Sequence, residues 1–497
     1  MSPDRPVASR RLPELSALAL ILAVAAAARL WYLGAGVPHA VGIDEPQIVD
    51  RAIRILRTGD WNPHIFDYPT LVIYVHAVVA IARFLWGALK GEWASLDGFS
   101  ITAIYMAGRL AAAMMGVATV WLTYRLGTEL SSRRVALVAA AQLAVRPIHV
   151  RESHYILTDV PMTALTTLAI WLGVRAARLG TVRAYAWAGA ACGLAAAAKY
   201  TGGVALVAVA AAWVLHERRS PDRLRTLGAM VGAAALGFFV GAPYTILDLP
   251  AFLDGFAAQF SRFATPAAGG DPAWLLYVKH LSMAGRFWVP LAVAGMVLLL
   301  WRGSARARWT PVILFTIAYF YVLSTHSHVF GRYALPLLPP LCLFTSVAAL
   351  EAVRVLKRFP LLAKPAAQRG LLAIMWIGLT LGAAVDTVHW LDQLKRPDTR
   401  AMATDWLRSN TPKGSRVAVE NSGPTYLDTA GFKVAGTEQL LDHGLDWYRQ
   451  RADYLIISAA DLARYADYVN AGPIVFQVSP TPQRWGPPIL IVRLATQ

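Results

Sequence analysis

Ala25-Ala26-Ala27-Ala28-Arg29-Leu30-Trp31-Tyr32 closes an apolar run that opens near residue 14, and soon after it the chain reads Val41-Gly42-Ile43-Asp44-Glu45-Pro46. The run approaches the roughly 20 apolar residues that a helix needs to cross a bilayer. It follows Arg5, Arg10 and Arg11. A cleavable signal peptide would place a polar cleavage region after its apolar core. Here the alanines lead straight into Arg29 and an aromatic pair suited to a membrane interface. The first segment therefore reads as a span, and it delivers two adjacent carboxylates across the membrane.

The rest of the chain agrees. Of its 497 residues 56% are hydrophobic and only 15% charged, where soluble domains carry nearer a quarter. The reading is a polytopic α-helical membrane protein. The net charge of +17 is explained by Lys and Arg gathered in loops that stay in the cytoplasm. No basic stretch carries interleaved aromatics, so no nucleic-acid partner is expected. Cys192 and Cys342 both lie in apolar runs and read as small core hydrophobes.

Eleven spans fit the alternation of charge: 14–34, 102–124, 135–149, 160–174, 184–198, 202–215, 226–246, 286–301, 309–325, 333–353 and 370–390. The apolar run 69–89 starts at a proline and carries His76 and Arg83. Counting it as a crossing would put Arg125, Arg133 and Arg134 outside, so it reads as an amphipathic helix on the outer surface. The inner loops (1–13, 125–134, 175–183, 216–225, 302–308, 351–369) then hold 21 Lys and Arg, against six in the short outer loops (146–159, 199–201, 245–285, 326–334). The expected organisation is a membrane domain over 1–390, with an outer-face juxtamembrane loop at 35–101, and a soluble domain over 391–497. That tail has a helical pattern from Asp398-Thr399-Arg400 to Trp406-Leu407 and short β-type runs at 416–419, 454–457 and 489–492. It reads as a small outer α/β domain.

Ionisable and aromatic residues collect in the outer loops. The first carries Asp44, Glu45, His64, Asp67 and Tyr68; the second Arg151, Glu152, His154 and Asp159; later ones Lys199, Arg332 and Tyr333. Such groups near bilayer depth are costly and usually functional.

Read in order, several motifs make one pattern: Asp44-Glu45 after the first span, Gly59-Asp60-Trp61-Asn62-Pro63, Asp67-Tyr68-Pro69-Thr70-Leu71, Arg151 through Asp159, Ala198-Lys199-Tyr200-Thr201-Gly202, and Gly331 through Pro339. This pattern resembles the bacterial relatives of the protein O-mannosyltransferases, in the broad GT-C group that also holds the lipid A aminoarabinose transferases. The resemblance covers roughly residues 14–355. It departs at Asp67-Tyr68-Pro69-Thr70, where many relatives carry a double proline. It implies a GT-C type membrane glycosyltransferase, family 39-like, that moves a sugar from a polyprenyl-phosphate donor to a glycan, glycolipid or protein acceptor, outside the plasma membrane.

The resemblance makes Asp44 the catalytic carboxylate, a general base that takes the proton of an acceptor hydroxyl. Glu45 is the second catalytic candidate. The alternative for both is to favour the N-terminus of a surface helix beginning at Pro46. Lys199 and Arg332 are candidates for the lipid phosphate, against simple snorkelling to the interface. Arg151 is a third cation, with Glu152 as its alternative partner. Glu152 and His154 can hold a divalent metal (Mg, Mn or Zn), or belong to a structural hydrogen-bonded network. Asp159 joins them or caps a helix. Tyr68, His64 and Tyr333 complete the substrate-binding set. The rival reading is a transporter or lipid flippase, which predicts repeated halves and ionisable groups near mid-bilayer; no repeated hydropathy halves are present.

Overall fold

The structure is a computed structural model that describes residues 12–216, 222–264, 271–283, 285–325, 327–362, 364–459 and 461–494. Arg5, Arg10, Arg11, Arg218, Arg219 and His326 lie outside the described residues. Helices dominate up to residue 410. They are α1 (Leu12–Leu30), α2 (Glu45–Thr58), α3 (Leu71–Leu89), α4 (Ile101–Leu130), α5 (Arg133–Ala144), α6 (Pro147–Glu152), α7 (Asp159–Leu179), α8 (Val182–Ala198) and α9 (Ala205–His216). There follow α10 (Arg223–Gly241), α11 (Tyr244–Leu247), α12 (Leu249–Ala264), α13 (Ala273–Ser282), α14 (Trp288–Trp301), α15 (Gly303–Ser324), α16 (Leu338–Leu356), α17 (Pro365–Gln393) and α18 (Thr399–Asn410).

Eleven of these helices (α1, α4, α5, α7–α10 and α14–α17) fall on the eleven expected spans. Among the described residues seven helices are long and apolar enough to cross a membrane, and six of them are α4, α7, α10, α15, α16 with its preceding turn, and α17. The seventh is α3.

The chain divides into two compact units. The first holds Met1–Trp31, Asp50–Ala82 and Gly108–His389. Hydrogen bonds fix which helix ends meet in it. His154 Nε2 lies 3.0 Å from the Trp31 carbonyl at the end of α1. The Arg29 guanidinium donates to the carbonyls of Leu143 (3.2 Å) and Ala144 (2.9 Å) at the end of α5. Asp159, opening α7, pairs with Lys199 just beyond α8. Thr70 donates to the Gly241 carbonyl that ends α10. The ends of α1, α5, α8 and α10 and the starts of α7 and α16 therefore share one face, as the alternation of spans requires.

The second unit holds Tyr32–Val49, Arg83–Ala107 and Trp390–Gln497, so the C-terminal domain is more than the expected 391–497: two outer segments fold with it. Its sheet consists of β1 (Arg416–Glu420), β2 (Lys433–Thr437), β3 (Tyr454–Ile457), β4 (Ile474–Val478) and β5 (Ile489–Arg493), in the order β2-β1-β3-β5-β4. β1 runs parallel to β2 and β3, and β5 antiparallel to β3 and β4. Alternate residues face two cores: Val417, Val419, Ile456, Ile489 and Ile491 pack with Ala403 and Leu407 of α18, and Ala418, Leu455, Ile457, Leu490 and Val492 pack with Tyr448.

Within this unit Thr425 bonds His39 and Pro38, and the neighbouring Tyr426 hydroxyl lies 2.9 Å from that of Tyr105 in the first turns of α4. Residues 38–39, which follow α1, and the start of α4 thus sit on one domain. The run expected as an amphipathic surface helix, α3, is among the helices long and apolar enough to cross a membrane. Its character does differ from that expectation. Val78, Leu85, Trp86 and Leu89 are exposed on it, so α3 is apolar around most of its surface. The amphipathic helix of the loop is α2, with Ile48, Ala52 and Ile55 buried on one stripe and Gln47, Asp50 and Arg57 outward.

Candidate active site

The first unit contains a cavity of about 550 Å³ at the face where the helix ends meet, a size usual for small-molecule sites. Its walls are mostly aromatic and aliphatic: Tyr68, Tyr200, Phe256, Tyr319, Tyr333 and Leu323 among them. Lys199 and Asp67 bring charge to the wall. Lys199, where α8 stops, donates to Asp159 Oδ1 at 2.6 Å, and Arg332 Nε lies 3.7 Å from the other oxygen of Asp159. Lys199 is also 4.0 Å from the centre of the Tyr333 ring, and the Arg332 guanidinium lies over Phe330 at 4.7 Å. Asp159 is almost wholly buried, while Lys199 and Arg332 keep side-chain exposures of 13% and 21%. Two cations thus share one buried carboxylate, and both retain access to solvent. Asp67 stands in the cavity wall with Arg51 in electrostatic reach.

Five expected site residues are therefore brought together: Lys199, Arg332, Asp159, Tyr68 and Tyr333. The helix cap before α7 is Thr158 by position, so Asp159 serves the cations instead. His64 goes elsewhere. It sits in an exposed loop with φ 55° and bonds Asp60 at 2.7 Å, and it is not among the cavity walls. Arg151 takes its alternative partner, with Nε 2.8 Å and Nη2 2.6 Å from Glu152 Oε1. Burial holds the Glu152 carboxyl above its usual range, against the pull of Arg151.

Glu152 and His154 do not fit a divalent ion. Each ring nitrogen of His154 has a carbonyl oxygen beside it, Val150 at 2.9 Å and Trp31 at 3.0 Å. Burial also pushes the ring down to about 4, so it is neutral and donates to one of them. Among the described residues no three His, Cys, Asp or Glu side chains gather as metal ligands.

Asp44 and Glu45 lie in the second unit and have separated roles. Glu45 opens α2, is fully buried, and its carboxylate accepts the Gly42 N–H at 2.7 Å. The Glu45 N–H donates back to the Gly42 carbonyl at 3.0 Å. This carboxylate closes a turn. Asp44, immediately before α2, is half-buried.

Some cavity residues were not singled out from the sequence. Phe256 and Gln259 come from α12, which reads as an outer loop; Phe252 and Phe256, one turn apart and in ring contact, are the signal for a helix there. Tyr319 sits within an apolar span and looks like any membrane aromatic, but its hydroxyl donates to the Tyr333 carbonyl at 3.2 Å.

Residues 93–246 match the family model described as dolichyl-phosphate-mannose-protein mannosyltransferase. No curated protein sequence matches the chain. Among solved structures, ArnT from Cupriavidus metallidurans bound to undecaprenyl phosphate aligns over 95% of this chain and 97% of its own, with a TM-score of 0.62 at 16% identity. The chain has the GT-C fold. AglB, the archaeal oligosaccharyltransferase from Archaeoglobus fulgidus in complex with an inhibitory peptide and a dolichol-phosphate, aligns over 92% of this chain and 70% of its own (TM-score 0.60, 13% identity). The arabinosyltransferase EmbB from Mycobacterium smegmatis covers 97% of this chain and 46% of its own (TM-score 0.52, 12% identity). The chain shares its fold with all three.

Proposed function

We propose that this chain is an integral-membrane glycosyltransferase that moves a sugar from a polyprenyl-phosphate donor to an acceptor hydroxyl, with Asp44 as general base. The acceptor oxygen bonds to the anomeric carbon while the bond from that carbon to the phosphate oxygen breaks. The electron pair leaves with the lipid phosphate, and the hydroxyl proton passes to Asp44. A positioned base of this kind contributes about 10²–10⁴-fold. A single base opposite the leaving group gives inversion at the sugar, as in inverting hydrolysis with a hydroxyl in place of water. The leaving group is already an anion, so it needs cations rather than an acid, and Lys199 and Arg332 supply them.

The observation that carries the reading is the Lys199–Asp159–Arg332 cluster, whose Lys199 stands in the wall of an aromatic cavity. The undecaprenyl phosphate bound by the ArnT of the same fold supports a polyprenyl carrier. The excess of Lys and Arg in the opposite loops supports an extracytoplasmic site, with glycan, glycolipid and protein hydroxyls as acceptors. No step is routed through a metal. The test supplies radiolabelled polyprenyl-phosphate sugars to membranes holding the wild-type chain or Asp44→Asn. Transfer should depend on the wild-type chain and fall by about 10² or more in the variant. Normal transfer by Asp44→Asn at matched expression would sink the base assignment.

A further inference from the structure

Four consecutive carbonyls just before Asp44 are held by the C-terminal domain. Thr425 donates its hydroxyl to Pro38 O at 2.7 Å and its N–H to His39 O at 2.9 Å. Arg400 donates Nη2 to Ala40 O at 3.1 Å and Nη1 to Val41 O at 2.8 Å. The His39 ring is held too, between the Thr425 carbonyl (2.9 Å) and Arg408 (3.0 Å). The next residue, Gly42, is closed onto Glu45 from both its N–H and its carbonyl. Asp44 therefore sits in a short turn anchored on both sides.

Arg400 is buried, and Asp398 orients it, with Nε 3.0 Å from Oδ1 and Nη2 2.9 Å from Oδ2. Asp398 also accepts the Arg400 N–H at 2.8 Å and so caps α18. Room for this pair depends on Gly486, at φ 107°, where a Cβ would stand 2.2 Å from Thr399 Oγ1 and 2.8 Å from Asp398 Oδ1. The bonds of Arg400 to residues 40 and 41 serve no helix or strand of its own domain. Thr425, for its part, lies in the loop that leaves β1 at the carboxyl edge of the parallel strands. That edge is where α/β domains take ligands, and here it takes a piece of the same chain.

We propose that Arg400 is a positioning residue for Asp44, and that the C-terminal domain serves the reaction by fixing the turn that carries this carboxylate. The proposal rests on the assignment of Asp44 as base. A lysine at 400 keeps the charge but loses the planar fork that reaches two carbonyls and a carboxylate at once.

The test uses the full chain in membranes, with radiolabelled polyprenyl-phosphate sugars as donors, and hydrogen exchange read over residues 38–47. Arg400→Lys should lower kcat about tenfold or more, since misplacement of a reacting group by 1 Å costs on the order of 100-fold. The donor KM should stay within about twofold, and amides 42–47 should exchange faster. In the Asp44→Asn background Arg400→Lys should cost nothing further, because a residue acting through Asp44 is not additive with its loss. An unchanged kcat in Arg400→Lys, or a full additive loss in the Asp44→Asn background, would overturn the proposal. Should Arg400→Lys fail to fold, Thr425→Val removes one bond to the segment and leaves the Arg400 pair; it should show a smaller loss with the same non-additivity, and an unchanged kcat there overturns the proposal equally. Full activity in Asp44→Asn alone removes the base assignment, and is seen without reference to Arg400.

Discussion

The two units each bury a cation with a carboxylate, and the two clusters differ in their balance. In the helical unit Lys199 and Arg332 share Asp159, and Lys199 faces a cavity. In the other unit Arg400 has Asp398 to itself and places its remaining donors on main-chain carbonyls. A buried charge is tolerated when it is paired and hydrogen-bonded. The Arg400 cluster is thus a grip on main chain, while the Lys199–Arg332 cluster stands beside the cavity. Arg29 likewise spends its donors mostly on main chain, its guanidinium held by the carbonyls of Ala25, Leu143 and Ala144 and by His149.

The comparison breaks first at the cavity. Arg332→Ala or Lys199→Ala should lower the transfer rate by about 10²–10³-fold, the usual loss on removing one donor to a developing anion. The unfolding temperature should stay near wild type, because Asp159 keeps one cation. A rate loss that merely follows a fall in melting temperature would place the cavity cluster with the grips. Asp159→Asn does the opposite damage, removing the buried carboxylate that both cations share. It should destabilise the helical unit by about 3–5 kcal/mol, seen as a lower melting temperature with donor binding retained at low temperature.

Two smaller effects test the grip. Glu420, buried at the end of β1, accepts from the Ser458 and Leu440 N–H groups and from the Tyr465 hydroxyl. Glu420→Gln should cost the C-terminal domain about 1–3 kcal/mol while kcat stays unchanged below its melting temperature. His39 adds a pH dependence. Burial lowers its pKa below the ordinary 6.5, and its neutral ring donates Nδ1–H to Thr425 while Nε2 accepts from Arg408. The unfolded loop therefore takes up a proton before the folded one does. Stability conferred by the grip is intact above about pH 6.5 and falls as the pH drops below it. Protection factors over residues 38–47 should decrease between pH 7.5 and pH 5.5, and His39→Gln should flatten that change.

Much of the fold was legible because its signals are local. Apolar length placed the eleven helices. The strands at 416, 454 and 489 showed as runs of Val, Ile and Leu because they are the centre of the sheet. β2 and β4 were missed for the complementary reason: they are its edges, half-exposed and carrying Lys433, Gly436 and Gln477. Of the site, Lys199, Arg332, Asp159, Tyr68 and Tyr333 could be nominated as polar or aromatic residues at helix ends. That Asp159 pairs with Lys199, 40 residues on, is a packing fact no spacing rule supplies. Adjacent carboxylates look alike in sequence, while the turn at Gly42 buries only Glu45. Arg400 looked like the start of an ordinary helix, and its two carbonyl partners lie about 360 residues away in the chain.

The most direct measurement is the thermal shift produced by undecaprenyl phosphate on the full chain and on Arg332→Ala. The wild-type chain should gain several degrees at saturating lipid phosphate, by preferential binding to the folded state, and Arg332→Ala should gain little while melting at the wild-type temperature without ligand. An equal gain in both proteins would contradict the assignment of the Lys199–Arg332 cluster to the lipid phosphate.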